Sequence, residues 1–343
     1  MTRFLLSLAE SGFIPDVLIK IAARYISNKR LNEQSVVNKY KIISKLSRGV
    51  VAEKTYDANE QHYEVPPKFF NYVLGANLKY SCSLFDDVDS LDDAEESMLK
   101  LYIDRAEIKN GLEILDLGCG WGSFSLYVAE KYPNTNITSV SNSSDQIKYI
   151  KNEAQKRGLL NVKAIRMDVN NLELNKQFDR IISIEMFEHI RNYKLILNSL
   201  KDLLKPNGRL FIHIFCHKEL TYFYEMKNDL DWMTKYFFQG GIMPSMDIFE
   251  YFADEFAIVN QWNINGNNYS KTCNAWLNNH YKNKEKILDT FNRHYDNPKI
   301  WFNRWRIFFL SCEAFFALNN GKEYFVSHYL LKKSDKEKIS NKS

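Results

Sequence analysis

Apolar and polar positions along the chain follow two periods. Between about residues 91 and 217, runs with the 3.6-residue spacing of helices trade places with short apolar runs of strand length. The pattern predicts helix 91–107, strand 112–117, helix 122–132, strand 136–141, helix 143–158 and strand 162–167. It continues with strand 178–184, helix 186–204, a turn at Pro206-Asn207-Gly208 and strand 209–215. Such alternation argues for a parallel sheet with helices on both faces. Farther on come strand 256–264, helices between 273 and 318, and a late strand 323–331. Residues 4–30 read as amphipathic helix broken near Gly12 to Pro15, with Leu18, Ile19, Ala22, Ala23 and Ile26 at helical spacing. A second helical run covers 34–47. This N-terminal part carries no chemistry of its own, and packing or a lid is its expected role. Tyr56 to Phe85 is dense in aromatics, and 218–250 loosens into an insertion.

Composition narrows the class. At 343 residues, 45% hydrophobic and 26% charged, the chain has room for one large globular domain with an appendage, or for two. A net charge of +4 gives no case for a nucleic-acid partner. The tail through Lys342 is read as a solvated, disordered end, 334–343. Cys82, Cys119, Cys216, Cys273 and Cys312 are odd in number and have no metal-ligand spacing. Reduced thiols, no metal and a cytoplasmic location are expected. No stretch approaches the roughly 18 apolar residues of a membrane span. Oligomeric state is unreadable.

The candidate chemistry sits where strands end, and there ligands of parallel sheets bind. The run LEILDLGCGWG places Asp116 before Gly118, Gly120 and Gly122. Glycines let the backbone turn sharply and approach a ligand. The spacing is G-x-G-x-G, unlike the dinucleotide fingerprint, and the carboxylate suits a ligand with a cationic head such as S-adenosylmethionine. The second strand ends in Ser141 and Asn142, with Gln146 one turn on, groups able to hold a ribose diol; the alternative is a helix cap at Asn142 or Ser143. Asp168 is placed to accept an adenine amine, with the Val169 N–H facing a ring nitrogen; a turn aspartate is the alternative. At the fourth strand, a helix would put Glu185, Glu188 and His189 on one face, able to steer a cation or take a proton. Tyr80, Ser81 and Cys82 form a polar knot, His213 and His217 flank the fifth strand, and His62 and Tyr63 precede the prolines. Aromatics crowd 232–252 and 301–316.

The segments HYEVPPKFF, LKYSCSLF, LDLGCGWGSF, SNSSDQ, IEMFEHIRNY, FIHIFCHK, FFQGGIMPS and NNGKEYFVSHYLLKK resemble the cyclopropane-fatty-acid-synthase superfamily of S-adenosylmethionine-dependent methyltransferases. The chain is most similar to the coclaurine N-methyltransferase-like branch. The resemblance implies an α/β, Rossmann-like class I fold: a seven-stranded sheet whose last strand is antiparallel, helices on both faces, N-terminal helices (1–50) before a methyltransferase domain (51–333), and a helical insertion covering the substrate. It implies cofactor contacts from Tyr80, Ser81, Gly118, Gly120, Asn142, Gln146, Asp168 and Val169. It implies an acceptor site at Glu185, Glu188 and His189.

N-methylation of a small amine is therefore the leading expectation. Glu185 and Glu188 would hold the ammonium, and His189 or one of them would remove its proton. The alternative is methylene transfer to an unsaturated lipid, with bicarbonate as base. The positions matching the bicarbonate site of cyclopropane synthases are Cys82, Glu188, His213 and Tyr269, and a cyclase-associated cysteine falls at Ser311, beside Cys312. A third class, a binding protein that kept a nucleoside site, fits poorly with intact ionisable groups at the fourth strand.

Overall fold

The computed structural model describes residues 2–33, 36–52, 65–228 and 231–334. His62, Tyr63 and all of the tail except Ser334 lie outside the described residues. Seven strands form one sheet: β1 (Glu113–Leu117), β2 (Asn136–Ser141), β3 (Val162–Arg166), β4 (Phe178–Ile184), β5 (Leu204–His217), β6 (Phe256–Ile264) and β7 (Tyr324–Lys333). Their order is β3-β2-β1-β4-β5-β7-β6. β1 to β5 run parallel to one another, and β7 runs antiparallel to both β5 and β6. The order reverses between β1 and β4, which opens a crevice at their carboxyl ends.

The helices are α1 (Thr2–Glu10), α2 (Asp16–Glu33), α3 (Val36–Lys45), α4 (Pro67–Val73), α5 (Leu91–Arg105), α6 (Ser123–Lys131), α7 (Ser144–Lys156), α8 (Tyr193–Leu203), α9 (Asn267–Lys282), α10 (Lys284–Asn292) and α11 (Pro298–Phe316). Side-chain caps start three of them. Ser90 accepts from Asp93 N–H at 3.1 Å, Ser143 from Gln146 N–H at 3.4 Å and Asn192 from Leu195 N–H at 2.9 Å. Because Ser143 takes the cap, Asn142 is left to face the crevice.

Neighbouring strand residues feed opposite cores, as a period of two requires. Ile182 and Phe211 join Tyr102 and Phe124 on one face of the sheet. Ile181 and Ile212 join Ile196 and Leu200 on the other. α9 packs on α11, and α2 lies against α11. Ion pairs pin the N-terminal helices there. Lys20 meets Glu313 at 2.6 Å, Arg304 Nε meets Glu10 at 3.0 Å, Arg306 Nε meets Asp16 at 2.8 Å, and Arg30 meets Asp231 at 2.7 Å. Among the described residues no helix is long and apolar enough to cross a membrane.

Three expectations need correction. The helix expected over 186–204 is a short 3₁₀ turn, Phe187–His189, followed by α8, because Asn192 restarts the helix with its own cap. The strand expected from 209 begins at Leu204; the register jumps between Phe178 and Arg180, so Pro206-Asn207-Gly208 forms an irregularity inside β5. The insertion is only partly helical. It holds a ribbon of Tyr222–Phe223 against Ile242–Met243 and one π-helical turn, Thr234–Phe238, which ends before Gly240, Gly241 and Pro244.

Candidate functional site

A cleft of about 90 Å³ opens at the ends of β1, β2 and β3, lined by Gly118, Gly120, Ser141, Asn142, Gln146 and Val169 among others. Gly118 has φ 77°, and a Cβ there would meet Met186 Cγ at 2.7 Å, so only glycine fits. A Cβ at Gly120 would meet nothing within 4 Å, which leaves the backbone open to a ligand. Gln146 accepts from Ser141 Oγ at 2.7 Å, while its buried Nε2 donor has no partner among the described residues. An orphaned buried donor is costly unless a ligand completes it. These features fit the ribose and amino-acid parts of an adenosyl cofactor.

Other residues expected at the cofactor act from behind the cleft. Asp116 is turned to Ser125, whose Oγ donates at 2.6 Å, and burial pushes its carboxyl up to about 7. The carboxylate expected to meet a cationic head therefore braces α6 from below and lines neither cavity. Asp168 accepts from Asn170 N–H at 2.8 Å and shapes the turn that presents Val169. Ser81 accepts from Lys79 Nζ at 2.6 Å and lines neither cavity. Tyr80 faces the second cavity, with its ring 5.4 Å from that of Trp276.

The centre of the site is Glu185. It sits one residue beyond β4 with φ 48°, a left-handed backbone that costs a non-glycine residue about 1 kcal/mol. Such strain concentrates at functional positions. Three donors converge on its carboxylate. Oε1 accepts from Cys82 N–H at 2.9 Å and from His213 Nε2 at 3.0 Å, and Oε2 accepts from the Tyr269 hydroxyl at 2.6 Å. Burial raises its pKa; the charge of Lys79, the Tyr269 and Cys82 hydrogen bonds and His189 oppose that rise. Lys79 is fully buried and donates to Ser81 and to the Cys82 carbonyl. Burial lowers its pKa to about 8, against the pull of Glu185, Cys82 and Glu95. The pair is a buried anion with its own counter-charge.

This arrangement corrects two expectations. Glu185, Glu188 and His189 do not share a helical face, since no helix starts there. Glu188 points away: Oε1 accepts from Phe215 N–H at 2.8 Å, Oε2 has no partner among the described residues, and it lines neither cavity. Burial, and after it the Glu185 charge, push its pKa well above the usual carboxylate range. Three of the four groups expected around a bicarbonate, Cys82, His213 and Tyr269, are already engaged by Glu185. The Glu185 carboxylate thus stands where those three groups would meet an anion.

The second cavity holds about 490 Å³ and is walled mainly by apolar and aromatic side chains, including Trp232, Phe238, Trp276 and Phe308. Glu185 and His189 line both this cavity and the cleft, and so form the wall between them. Burial lowers the His189 pKa to about 4, so the imidazole there is neutral. Ser311 and Cys312 also face the cavity. Sequence reasoning missed most of its far wall. Leu18, Ile19, Ala22, Ala23 and Ile26, the stripe on α2, line it. It also missed Lys79, whose only signal was a lysine inside the LKYSC knot, and His328, a polar residue within an apolar strand.

Residues 51–323 match the family model described as mycolic acid cyclopropane synthetase. The chain is 38% identical to (S)-coclaurine N-methyltransferase of Thalictrum flavum subsp. glaucum over 96% of this chain and 95% of that one. It is 28% identical to cyclopropane-fatty-acyl-phospholipid synthase of Escherichia coli (strain K12), over 76% of this chain and 64% of that one. The crystal structure of coclaurine N-methyltransferase bound to N-methylheliamine and SAH superposes with a TM-score of 0.92 at 37% identity, covering 96% and 99% of the two chains.

Proposed function

The chain belongs to the mycolic acid cyclopropane synthetase family, and from that premise we propose that it transfers the methyl of S-adenosylmethionine to the nitrogen of a bulky, largely apolar amine. When bound, the cofactor supplies a methyl on a cationic sulfur. Gly118, Gly120, Asn142, Gln146 and Val169 would hold it. The observation that carries the reading is the shared wall: Glu185 and His189 touch both the cleft and the large cavity. A methyl donor on one side and an acceptor on the other would meet there.

Each residue has a definite task. The amine arrives as an ammonium, and the Glu185 carboxylate attracts it. Oε1 already takes two donors, so Oε2, with only Tyr269 among the described residues, offers the remaining lone pair. Burial raises the Glu185 pKa and so makes it a better proton acceptor than a surface carboxylate. The ammonium proton passes to Oε2, and the nitrogen lone pair is released toward the cleft. His189 is neutral and adds no positive charge beside two cations. Aromatic walls exclude water and suit a cationic or flat acceptor. Holding the lone pair in line contributes several kcal/mol or more.

Methylene transfer to a lipid, the alternative, requires bicarbonate among Cys82, His213 and Tyr269. Glu185 fills that position, which favours the amine. The test offers purified protein an amine panel that includes coclaurine, the substrate class named for the relatives. Cofactor-dependent methylation of at least one bulky secondary amine is expected. Turnover of unsaturated phospholipid with no amine methylated would overturn the proposal.

A further inference from the structure

A buried hydrogen-bond chain runs away from the site behind Glu185. His213 Nε2 is 3.0 Å from Glu185 Oε1, and its Nδ1 is 2.9 Å from His328 Nε2. His328 Nδ1 in turn is 2.9 Å from Arg105 Nη1. Both histidines are fully buried, and burial together with nearby cations pushes both pKa values well down, so each carries one ring proton.

The direction of this chain is fixed at its outer end. A guanidinium only donates. His328 Nδ1 must therefore accept, which puts the His328 proton on Nε2. That N–H faces His213 Nδ1, which must accept in turn, which puts the His213 proton on Nε2, aimed at Glu185. The Tyr102 hydroxyl also lies 2.9 Å from His213 Nδ1, so in this tautomer it shares that nitrogen's single lone pair with the His328 N–H. The opposite tautomers would set the His328 Nδ1–H against the Arg105 N–H, donor against donor.

We propose that Arg105 and His328 are positioning residues that lock His213 as a donor to the Glu185 carboxylate. The inference rests on the reading of Glu185 as the anion that meets the acceptor. Arg105 lies at the last turn of α5, and its guanidinium sits 5.0 Å from the Trp262 ring centroid, at the far end of the chain from the cavities. The chain cannot export a proton from Glu185, because each ring nitrogen facing inward already carries its hydrogen. Its effect is to hold the carboxylate ionised and aimed. Other groups facing Glu185 are Lys79 and Cys82 from the segment before α5, Glu188 and His189 from the 3₁₀ turn, and Tyr269 from α9. They are left unchanged in the test.

The experiment records two-bond ¹H–¹⁵N correlations of the histidine rings in the full chain, which report which nitrogen carries the proton. In the wild type, His213 and His328 are expected as Nε2–H tautomers from about pH 6 to pH 8.5. Arg105→Met keeps the aliphatic stem and removes the donor; mixed tautomers at His328 and His213 are expected, and Arg105→Lys is expected to restore the single form. In the second arm, losing a donor raises the Glu185 pKa. The acid limb of kcat/KM for an accepted amine should therefore move up by about one pH unit, a tenfold loss on the acid side, in Arg105→Met and His328→Leu but not in Arg105→Lys. A His213 proton on Nδ1 in the wild type would overturn the proposal, without need of any variant or substrate. So would Arg105→Met with unchanged tautomers. Absence of amine turnover with the expected tautomers would count against the proposed reaction and leave the lock standing.

Discussion

Replacing Glu185 with glycine empties a seat built from three donors without disturbing the backbone that made it. Glu185 has φ 48°, a conformation that glycine adopts freely. The variant loses the group that holds and deprotonates the ammonium, so the rate is expected to fall roughly 10²- to 10⁴-fold, the range of general acid–base groups. The Cys82 N–H, His213 Nε2–H and Tyr269 O–H then point into one small polar space. Hydrogen bonds to a charged acceptor are worth about 1.5–3 kcal/mol each, so three give about 5–9 kcal/mol. Immobilising a small ion costs about 4 kcal/mol or more. The remainder, about 1–5 kcal/mol, corresponds to half-saturation between roughly 0.2 and 200 mM. Added formate, acetate or bicarbonate should therefore restore part of the methylation rate of Glu185→Gly in that range, with chloride as the ionic-strength control. Methyl transfer is followed by mass spectrometry, and folding by thermal unfolding. A folded, cofactor-binding variant that no small carboxylate revives would refute the seat. So would a variant that keeps its rate within a few-fold.

Further expectations follow from the same geometry. Glu188→Gln should cost less than about tenfold in rate, since a buried acid that lines neither cavity is replaced by its amide, whereas Glu185→Gln should cost roughly 10²- to 10⁴-fold; parallel kinetics of the two variants would expose a reversed order. Asp116 has its pKa raised to about 7 by burial, so its contribution to stability is complete below about pH 4 and is lost as the pH rises through about 7. Asp116→Asn cannot ionise, and Tm scans should show it losing less Tm than wild type between pH 5 and pH 8; an equal loss would contradict that burial effect. Ala23→Trp fills the cavity from α2 and should raise KM for a bulky amine at least tenfold with cofactor affinity unchanged by calorimetry.

The sheet was legible because its signals are local. Apolar runs such as Ile114 to Leu117 and the glycines after them fix a strand and its turn within a dozen residues. Gly118, Gly120, Asn142, Gln146 and Val169 were found for the same reason, and the structure brings them to one cleft. Glu185, Glu188 and His189 were singled out as a group on one helical face, but the structure brings only Glu185 and His189 to the two cavities. Helical spacing cannot foresee a left-handed backbone at Glu185 that turns its carboxylate toward residues 103 positions before it and 28 and 84 after it. Lys79, Arg105 and His328 were invisible, because a buried ion or a histidine chain exists only once distant elements pack. The α2 stripe was read as packing surface; the same periodicity serves a cavity wall, and only the aromatic helices opposite it decide between the two.

The central claim is that the methyl ends on nitrogen. The most direct measurement gives the protein S-adenosylmethionine with a trideuterated methyl, an amine panel in one vessel and unsaturated phospholipid vesicles in another, and weighs the products. An amine that gains the whole labelled methyl, beside unaltered lipid, is the expected result. A lipid that gains the label after losing one deuterium, with every amine untouched, would mean ring closure and would contradict it.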